Sequence, residues 1–240
     1  MSFLVFDIET RIDKTLLRQV EFGDSLLSDS EAYERMRSEL QERGTDFFPV
    51  TYHVPVSIVL GRVREDHVLE NVQVLPADTV GEAEIVRRFW STLEAFDGTL
   101  VSFNGRAFDL PVLELQGLRW GCAASRYFSE RDGLRARQGR HHDLYEFLAN
   151  GGLVRLRGGF NLLSQLVGLP GKGSVRGGDV QQLWETGRYD TIHRYCRRDV
   201  IQTYYLFLHI ERLRGRLLPE RVAQIVEATG AFRAEIEDPP

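Results

Sequence analysis

The chain opens on SFLVFDI, an almost unbroken apolar run rich in aromatic and β-branched residues, and this predicts a buried strand over Ser2–Ile8. Side chains alternate along a strand, so Asp7 and Glu9 fall on the same face. Arg11–Val50 abandons the strand pattern; Asp29–Gln41 within it is charged and helix-favouring, which predicts a partly helical insertion. TYHVPVSIVL (Thr51–Leu60) and HVLENVQVL (His67–Leu75) read as two further strands, with GRVRED between them as a hairpin connection. Three consecutive strands with short links predict an antiparallel meander.

Further along, Ile85, Val86, Phe89, Trp90 and Leu93 recur at helical spacing through Glu82–Phe96, and Asp97-Gly98 stops the pattern. Thr99–Phe103 reads as a short buried strand, followed by a helix from about Leu110 to Leu118. Gly121–Arg140 shows no period and reads as irregular. His142–Leu148 is expected to carry a strand end into a helix. Phe160–Val167 is a short helix ended by GLPGKG, and Asp190–Arg214 is the last long one. The acidic, proline-terminated tail after Ala231 is expected to fray. A meander followed by strand–helix alternation predicts an α/β fold with a mixed sheet flanked by helices. One domain is expected over residues 1–214, with the 11–50 segment as its insertion and 215–240 as a C-terminal extension.

With 42% hydrophobic and 27% charged residues among 240, the composition is that of a globular protein with a sizeable core. A formal net charge of −5 argues against holding duplex nucleic acid by broad electrostatics, though cations and local basic segments can supply attraction. No apolar run approaches the roughly 20 residues that span a bilayer, and the N-terminus shows no basic leader or cleavage site. Cys122 and Cys196 form no CxxC pair and no disulfide framework, so a reducing cytoplasm is the expected compartment. Charge is uneven. Met1–Val50 carries eleven acids against six bases, whereas glycine-rich Leu115–Val180 carries ten bases against five acids. The second segment is either a solvated loop region or a rim along which a phosphodiester backbone lies.

The chemistry is carried by residues that contradict their apolar surroundings. Asp7 and Glu9 stand in SFLVFDIET, Asp109 in SFNGRAFDLPVL, and Tyr195 with Asp199 in IHRYCRRDVIQTYYLFL. An ionised carboxylate in a low-dielectric setting costs several kcal/mol without compensation. Four of them point to a shared compensating charge, for which a pair of divalent cations is the natural candidate. Each has a plainer alternative. Asp7 and Glu9 could be solvated turn residues at a strand end, and Asp109, ahead of Pro111, could be a helix N-cap. On the last helix Ile192, Tyr195, Cys196, Asp199, Thr203, Leu206, Phe207 and Ile210 share one stripe, so Asp199 could simply accept a hydrogen bond from Tyr195 or a neighbour. Other motifs fail. GLPGKGS lacks the phosphate-loop pattern, adjacent His141 and His142 read as surface residues, and no GxSxG elbow or zinc-type Cys/His spacing is present.

Asp7 with Glu9, Asp109 in NGRAFD, and Tyr195 with Asp199 in YCRRD, in that order, resemble the three exonuclease motifs of the DEDD superfamily. A tyrosine four residues before the last aspartate marks the DEDDy branch; the histidine branch needs His five residues before it, where Arg194 stands. HHDLYEFL, NLLSQLVGLPGK and GGDVQQLWETGRYDTIHRYCRRDV also fit the stand-alone proteins related to the 3′–5′ proofreading domain of family B DNA polymerases. The resemblance covers roughly Ser2 to Arg214.

It implies an RNase H-like fold of the DnaQ type, with a five-stranded mixed sheet whose first three strands are antiparallel. It further implies hydrolysis assisted by two Mg²⁺ or Mn²⁺ ions, all-oxygen ligation suiting these metals. Asp7 would bridge both ions, Glu9 and Asp199 would complete the first site, and Asp109 would help hold the second. Tyr195 would complete the catalytic set by orienting water rather than taking its proton, because a phenol with a pKa of about 10 is a poor base at neutral pH. Thr10, Phe103, Asn104, Arg106, Phe108 and Lys172 are the expected substrate contacts, Lys172 sharing a flexible loop with Arg176. The implied activity is 3′–5′ exonuclease action on single-stranded or frayed DNA ends, releasing nucleoside 5′-monophosphates. An exoribonuclease and a non-catalytic nucleic-acid-binding module are the rivals. A polymerase or repair partner fits the resemblance, and a membrane does not.

Overall fold

The computed structural model of the chain describes residues 1–23, 26–133, 140–171, 173 and 175–237. Strand β1 (Ser2–Ile12) is followed by helices α1 (Lys14–Glu21) and α2 (Asp29–Glu42), then β2 (His53–Val63) and β3 (Leu69–Pro76). A short helix α3 (Ala77–Val80) leads into α4 (Glu82–Ala95), β4 (Gly98–Ser102), α5 (Asp109–Arg119) and α6 (Ser125–Gly133). Strand β5 (His141–Asp143) runs into α7 (Leu144–Leu148), α8 (Gly159–Leu166), α9 (Val180–Glu185) and the 25-residue α10 (Tyr189–Leu213). Helices α11 (Pro219–Ala228) and α12 (Gly230–Glu237) close the described chain.

The five strands lie in the order β3-β2-β1-β4-β5. β1 pairs antiparallel with β2 and parallel with β4, β2 pairs antiparallel with β3, and β4 pairs parallel with β5. The mixed sheet and the antiparallel meander of the first three strands are as the sequence predicts. β1 occupies the centre because it is apolar on both faces. Leu4, Phe6 and Ile8 enter the core shared with α4 and α5, while Phe3 and Val5 enter the core shared with α10. By the same alternation Asp7 and Glu9 point toward α10. Val200 of α10 passes so close to β2 that a Cβ on Gly61 would lie 3.2 Å from Val200 Cγ1, a tight fit that leaves little room for a larger side chain. On the other face the Trp90 indole donates to the Leu113 carbonyl at 3.1 Å, locking α4 to α5.

The 11–50 segment builds a small core from Ile12, Leu17, Ala32, Met36, Leu40 and Phe48, together with Tyr52 just ahead of β2. Asp13 caps α1 through the Leu16 N–H at 3.0 Å, and Ser28 with Glu31 forms a capping box on α2.

Four expectations are corrected. β1 does not stop at Ile8, because β2 supplies ladder partners as far as His53 opposite Ile12. Asp7 and Glu9 therefore lie inside a strand and are not turn residues. Gly121–Arg140 is not wholly irregular: α6 forms where Tyr127 and Phe128 pack on Trp90. The tail after Ala231 is not frayed as far as Glu237, the last described residue. It forms α12, with Ile236 fully buried and Glu235 paired to Arg197 of α10 at 2.7 Å. His141 and His142 face opposite sides of β5 but are both partly buried. His141 meets Ser102, and His142 packs on Phe207. Among the described residues no helix is long and apolar enough to cross a membrane.

Candidate active site

The site is made by a difference in strand length. β4 pairs with β1 only from Ser2 to Val5, so beyond Val5 that edge of β1 has no strand partner among the described residues. The first turn of α5 covers it. The backbone N–H of Ile8 donates to Asp109 Oδ1 at 3.2 Å in a buried setting. Asp109 is the first helical residue, and Phe108 occupies the N-cap without a side-chain cap bond. The capping alternative is thus excluded. Asp109 reaches across to β1, and the positive end of the α5 dipole favours its charge there.

The Asp109 turn is shaped by a residue that sequence reading passed over. Asp143, at the end of β5, accepts backbone N–H bonds from Asn104 (2.9 Å) and Arg106 (3.0 Å) while capping α7 through Tyr145 and Glu146. The signal was present as an Asp directly ahead of LYEFL, a helix-start pattern. Asn104 adopts φ 65°, and a Cβ on Gly105 would lie 2.3 Å from Ser102 Oγ, so this turn needs Asn-Gly.

On the α10 side, ligand atoms of Asp7, Glu9 and the Cys196 thiol all lie within 4.8 Å of one another. Cys196 Sγ sits 3.5 Å from the Asp7 carbonyl oxygen and 3.6 Å from Asp7 Oδ2. Asp199 lies one turn on, and it, Glu9 and Asp109 are each more than nine-tenths buried. The negative field of this cluster is read out by its neighbours. Burial first, and then Asp199, Glu9 and Asp7, raise the Tyr195 phenol well above its ordinary value. Burial followed by Asp7, Glu9 and Asp199 does the same to the Cys196 thiol. Buried, mutually repelling carboxylates that present hard oxygen donors fit divalent cations. Cys196 was legible only as a member of the helical stripe, three residues before Asp199.

Opposite Glu9 in the ladder lies Ser57, which is fully buried. His193 Nδ1 is 3.0 Å from Ser57 Oγ, and His193 Nε2 is 2.7 Å from Asp78 Oδ1. This line braces α10 against β2 and α3.

The expected substrate contacts divide. Thr10 Oγ1 meets His53 Nδ1 at 2.7 Å, and the Phe108 ring meets Phe47 and His53. Phe103 packs edge-on against Tyr145 and Phe160. Arg106 directs its guanidinium to Glu146 (2.7 Å) and to the His141 carbonyl (2.7 Å). The Arg176 backbone N–H is bonded to Asp179 at 2.8 Å. Lys172 lies outside the described residues.

Residues 45–238 match the family described as predicted 3′–5′ exonucleases related to the exonuclease domain of PolB. The chain belongs to this family. Membership of the PolB-related exonucleases places it among enzymes of the nuclease class. Asp109, Tyr195 and Asp199 lie inside the matched range, and Asp7 and Glu9 precede it. Among solved structures, the family B DNA polymerase of the hyperthermophilic archaeon Pyrobaculum calidifontis superposes with a TM-score of 0.56 at 17% identity, over 88% of this chain and 24% of that one. That likeness shows a shared fold. Apo exonuclease I gives a TM-score of 0.45 at 12% identity, over 93% of this chain and 44% of its own. Product-bound exonuclease I gives 0.44 at 15%, over 93% and 45%. The chain thus spans about a quarter of the polymerase and under half of exonuclease I. No curated protein matches it significantly.

Proposed function

We propose that this exonuclease removes nucleotides from the 3′ end of single-stranded or frayed DNA, using Asp7, Glu9, Asp109 and Asp199 to hold two Mg²⁺ or Mn²⁺ ions and Tyr195 to orient water. The observation that carries the reading is the gathering of these five side chains around residues 7–9 of β1 from three distant segments, with Asp109 bonded to the strand through Ile8. When bound, the ions would lower the pKa of water and neutralise charge on the leaving oxygen.

The remaining work belongs to the chain. Asp7 and Glu9, one pleat apart, hold one pole of the site, and Asp109 fixes the other from the α5 N-terminus. The Tyr195 hydroxyl keeps its proton, since its pKa is displaced upward, and therefore acts by hydrogen bonding rather than as a base. Water oxygen attacks the terminal phosphodiester phosphorus as the bond to the leaving 3′ oxygen breaks. The products are a nucleoside 5′-monophosphate and a strand shorter by one residue with a new 3′-hydroxyl. A polymerase or repair partner would supply such ends.

A time course on 5′-labelled single-stranded DNA and matched RNA, with Mn²⁺, Mg²⁺ or EDTA and beside Asp7→Ala, tests this. A metal-dependent ladder shortening from the 3′ end on DNA, absent in the variant, supports the proposal. Faster shortening of RNA would make the enzyme an exoribonuclease. Binding without cleavage of either would make the chain a binding module.

A further inference from the structure

One feature beside the acidic cluster is unexplained by folding. Phe47, in the segment between α2 and β2, is 54% exposed, although the next residue, Phe48, is buried in the insertion core. The Phe47 ring is nevertheless held in place. It stacks on the His53 imidazole with centroids 5.5 Å apart and planes at 26°, and it meets Phe108 edge-on at 5.4 Å. His53 and Phe108 meet at right angles, 5.0 Å apart.

The support beneath is rigid. His53 Nε2 faces the Phe48 carbonyl at 3.2 Å, which can only accept, so Nε2 carries the proton and Nδ1 accepts from the Thr10 hydroxyl at 2.7 Å. Gln116 Nε2 donates to the His53 carbonyl at 2.9 Å, and the Phe47 N–H donates to Thr45 Oγ1 at 3.1 Å. The inner side of Phe47 is fixed by packing, and about half of the residue stays open to solvent. Both supports adjoin the acids along the chain: Phe108 precedes Asp109, and Thr10 follows Glu9.

We propose that Phe47, backed by His53 and edged by Phe108, is a stacking platform for a nucleobase near the 3′ end of the bound single strand. A planar, preorganised, uncharged ring suits the π-face of any base, and so gives affinity without sequence preference. It also gives the 11–50 insertion a role. The core containing Phe48 and Tyr52 anchors the segment that presents Phe47. This inference rests on the exonuclease reading above, and its test separates the two.

Phe47→Ala and Phe47→Tyr are compared with wild type in steady-state hydrolysis of single strands, and on strands with one abasic position placed in turn at each of the last three residues. Alanine is expected to raise KM about fivefold or more, with the loss in KM rather than kcat, and tyrosine to restore it. At one abasic position wild type should weaken by the same factor, and Phe47→Ala should weaken no further. An unchanged KM, or an equal additional loss in Phe47→Ala at every abasic position, overturns the platform. If wild type cleaves no strand, the exonuclease reading fails instead. The platform is then judged by fluorescence of 2-aminopurine near the 3′ end, which wild type should quench and Phe47→Ala should not; equal quenching by both overturns it.

Discussion

The Ile8 N–H donates to the Asp109 carboxylate at 3.2 Å across 101 residues of sequence, and this single bond joins the edge of the central strand to the N-terminus of α5. It fills the ladder position that β4 vacates after Val5 and fixes an acid beside Asp7 and Glu9. Stability and activity at Asp109 can therefore be separated.

Asparagine at this position keeps an acceptor for Ile8 but removes the charge, whereas alanine leaves a buried N–H without its partner, at a cost of about 1–3 kcal/mol. Asp109→Asn should unfold in urea near the wild-type midpoint and lose about 100-fold or more in turnover. Asp109→Ala should lose similar activity and also unfold at clearly lower urea. Equal stability of the two variants would show that the Ile8 bond contributes nothing.

Tyr195→Phe removes one oriented hydroxyl from a buried position and should lower kcat by about 10- to 100-fold, a magnitude typical of lost positioning. The phenol pKa is raised by burial and by Asp199, Glu9 and Asp7, so Tyr195 is expected to keep its proton during turnover. The pH–rate profiles of wild type and variant should accordingly have the same shape. A limb near neutral pH present only in wild type would show that Tyr195 titrates during turnover.

Divalent ions should stabilise the fold without any substrate, because they relieve repulsion among buried carboxylates. In Mn²⁺ at about 100 times its dissociation constant, unfolding should become harder by about 3 kcal/mol. Asp7→Asn should lose most of that gain in a thermal melt. An equal Mn²⁺ shift in wild type and Asp7→Asn would place the ions elsewhere.

The parts legible in the sequence are those with long local periods. The stripe of α10 and the face of α4 were readable because Ile192 to Ile210 and Ile85 to Leu93 repeat at helical spacing over more than two turns. The acidic set was readable because each member stands in an apolar segment. Features depending on distant neighbours were not. β1 extends to Ile12 only because β2 offers partners to Val54 and His53, with a register shift between Glu9 and Thr10 where Pro55 enters the ladder. α6 and α12 carry weak patterns of their own and exist by packing on Trp90 and on α10. The Asp143 clip spans 39 residues to Asn104, and its helix-cap signal concealed its second task. Phe47 and Phe48 are adjacent aromatics with opposite fates, which composition alone does not distinguish.

His53 gives a prediction in pH. Burial lowers its pKa from 6.5 to about 4, so the folded protein keeps it neutral while the unfolded chain takes up a proton below about pH 6.5. The contribution is complete above pH 6.5 and is lost as pH falls toward 4. His141, lowered from 6.5 to about 3 chiefly by desolvation, adds a second proton over an overlapping window. Stability measured by urea between pH 7 and 4 should fall with a slope that His53→Asn reduces by about one proton. An unchanged slope would mean that His53 is protonated in the fold.

The most direct test of the central claim is the first product. A single strand labelled on its 3′-terminal nucleotide is mixed with excess enzyme and Mn²⁺, and the released label is identified by chromatography beside EDTA and Asp7→Asn controls. The label should leave at once as a nucleoside 5′-monophosphate, and both controls should slow its release by about 100-fold or more. Release within a longer oligonucleotide, or equal rates in wild type and Asp7→Asn, would contradict the claim.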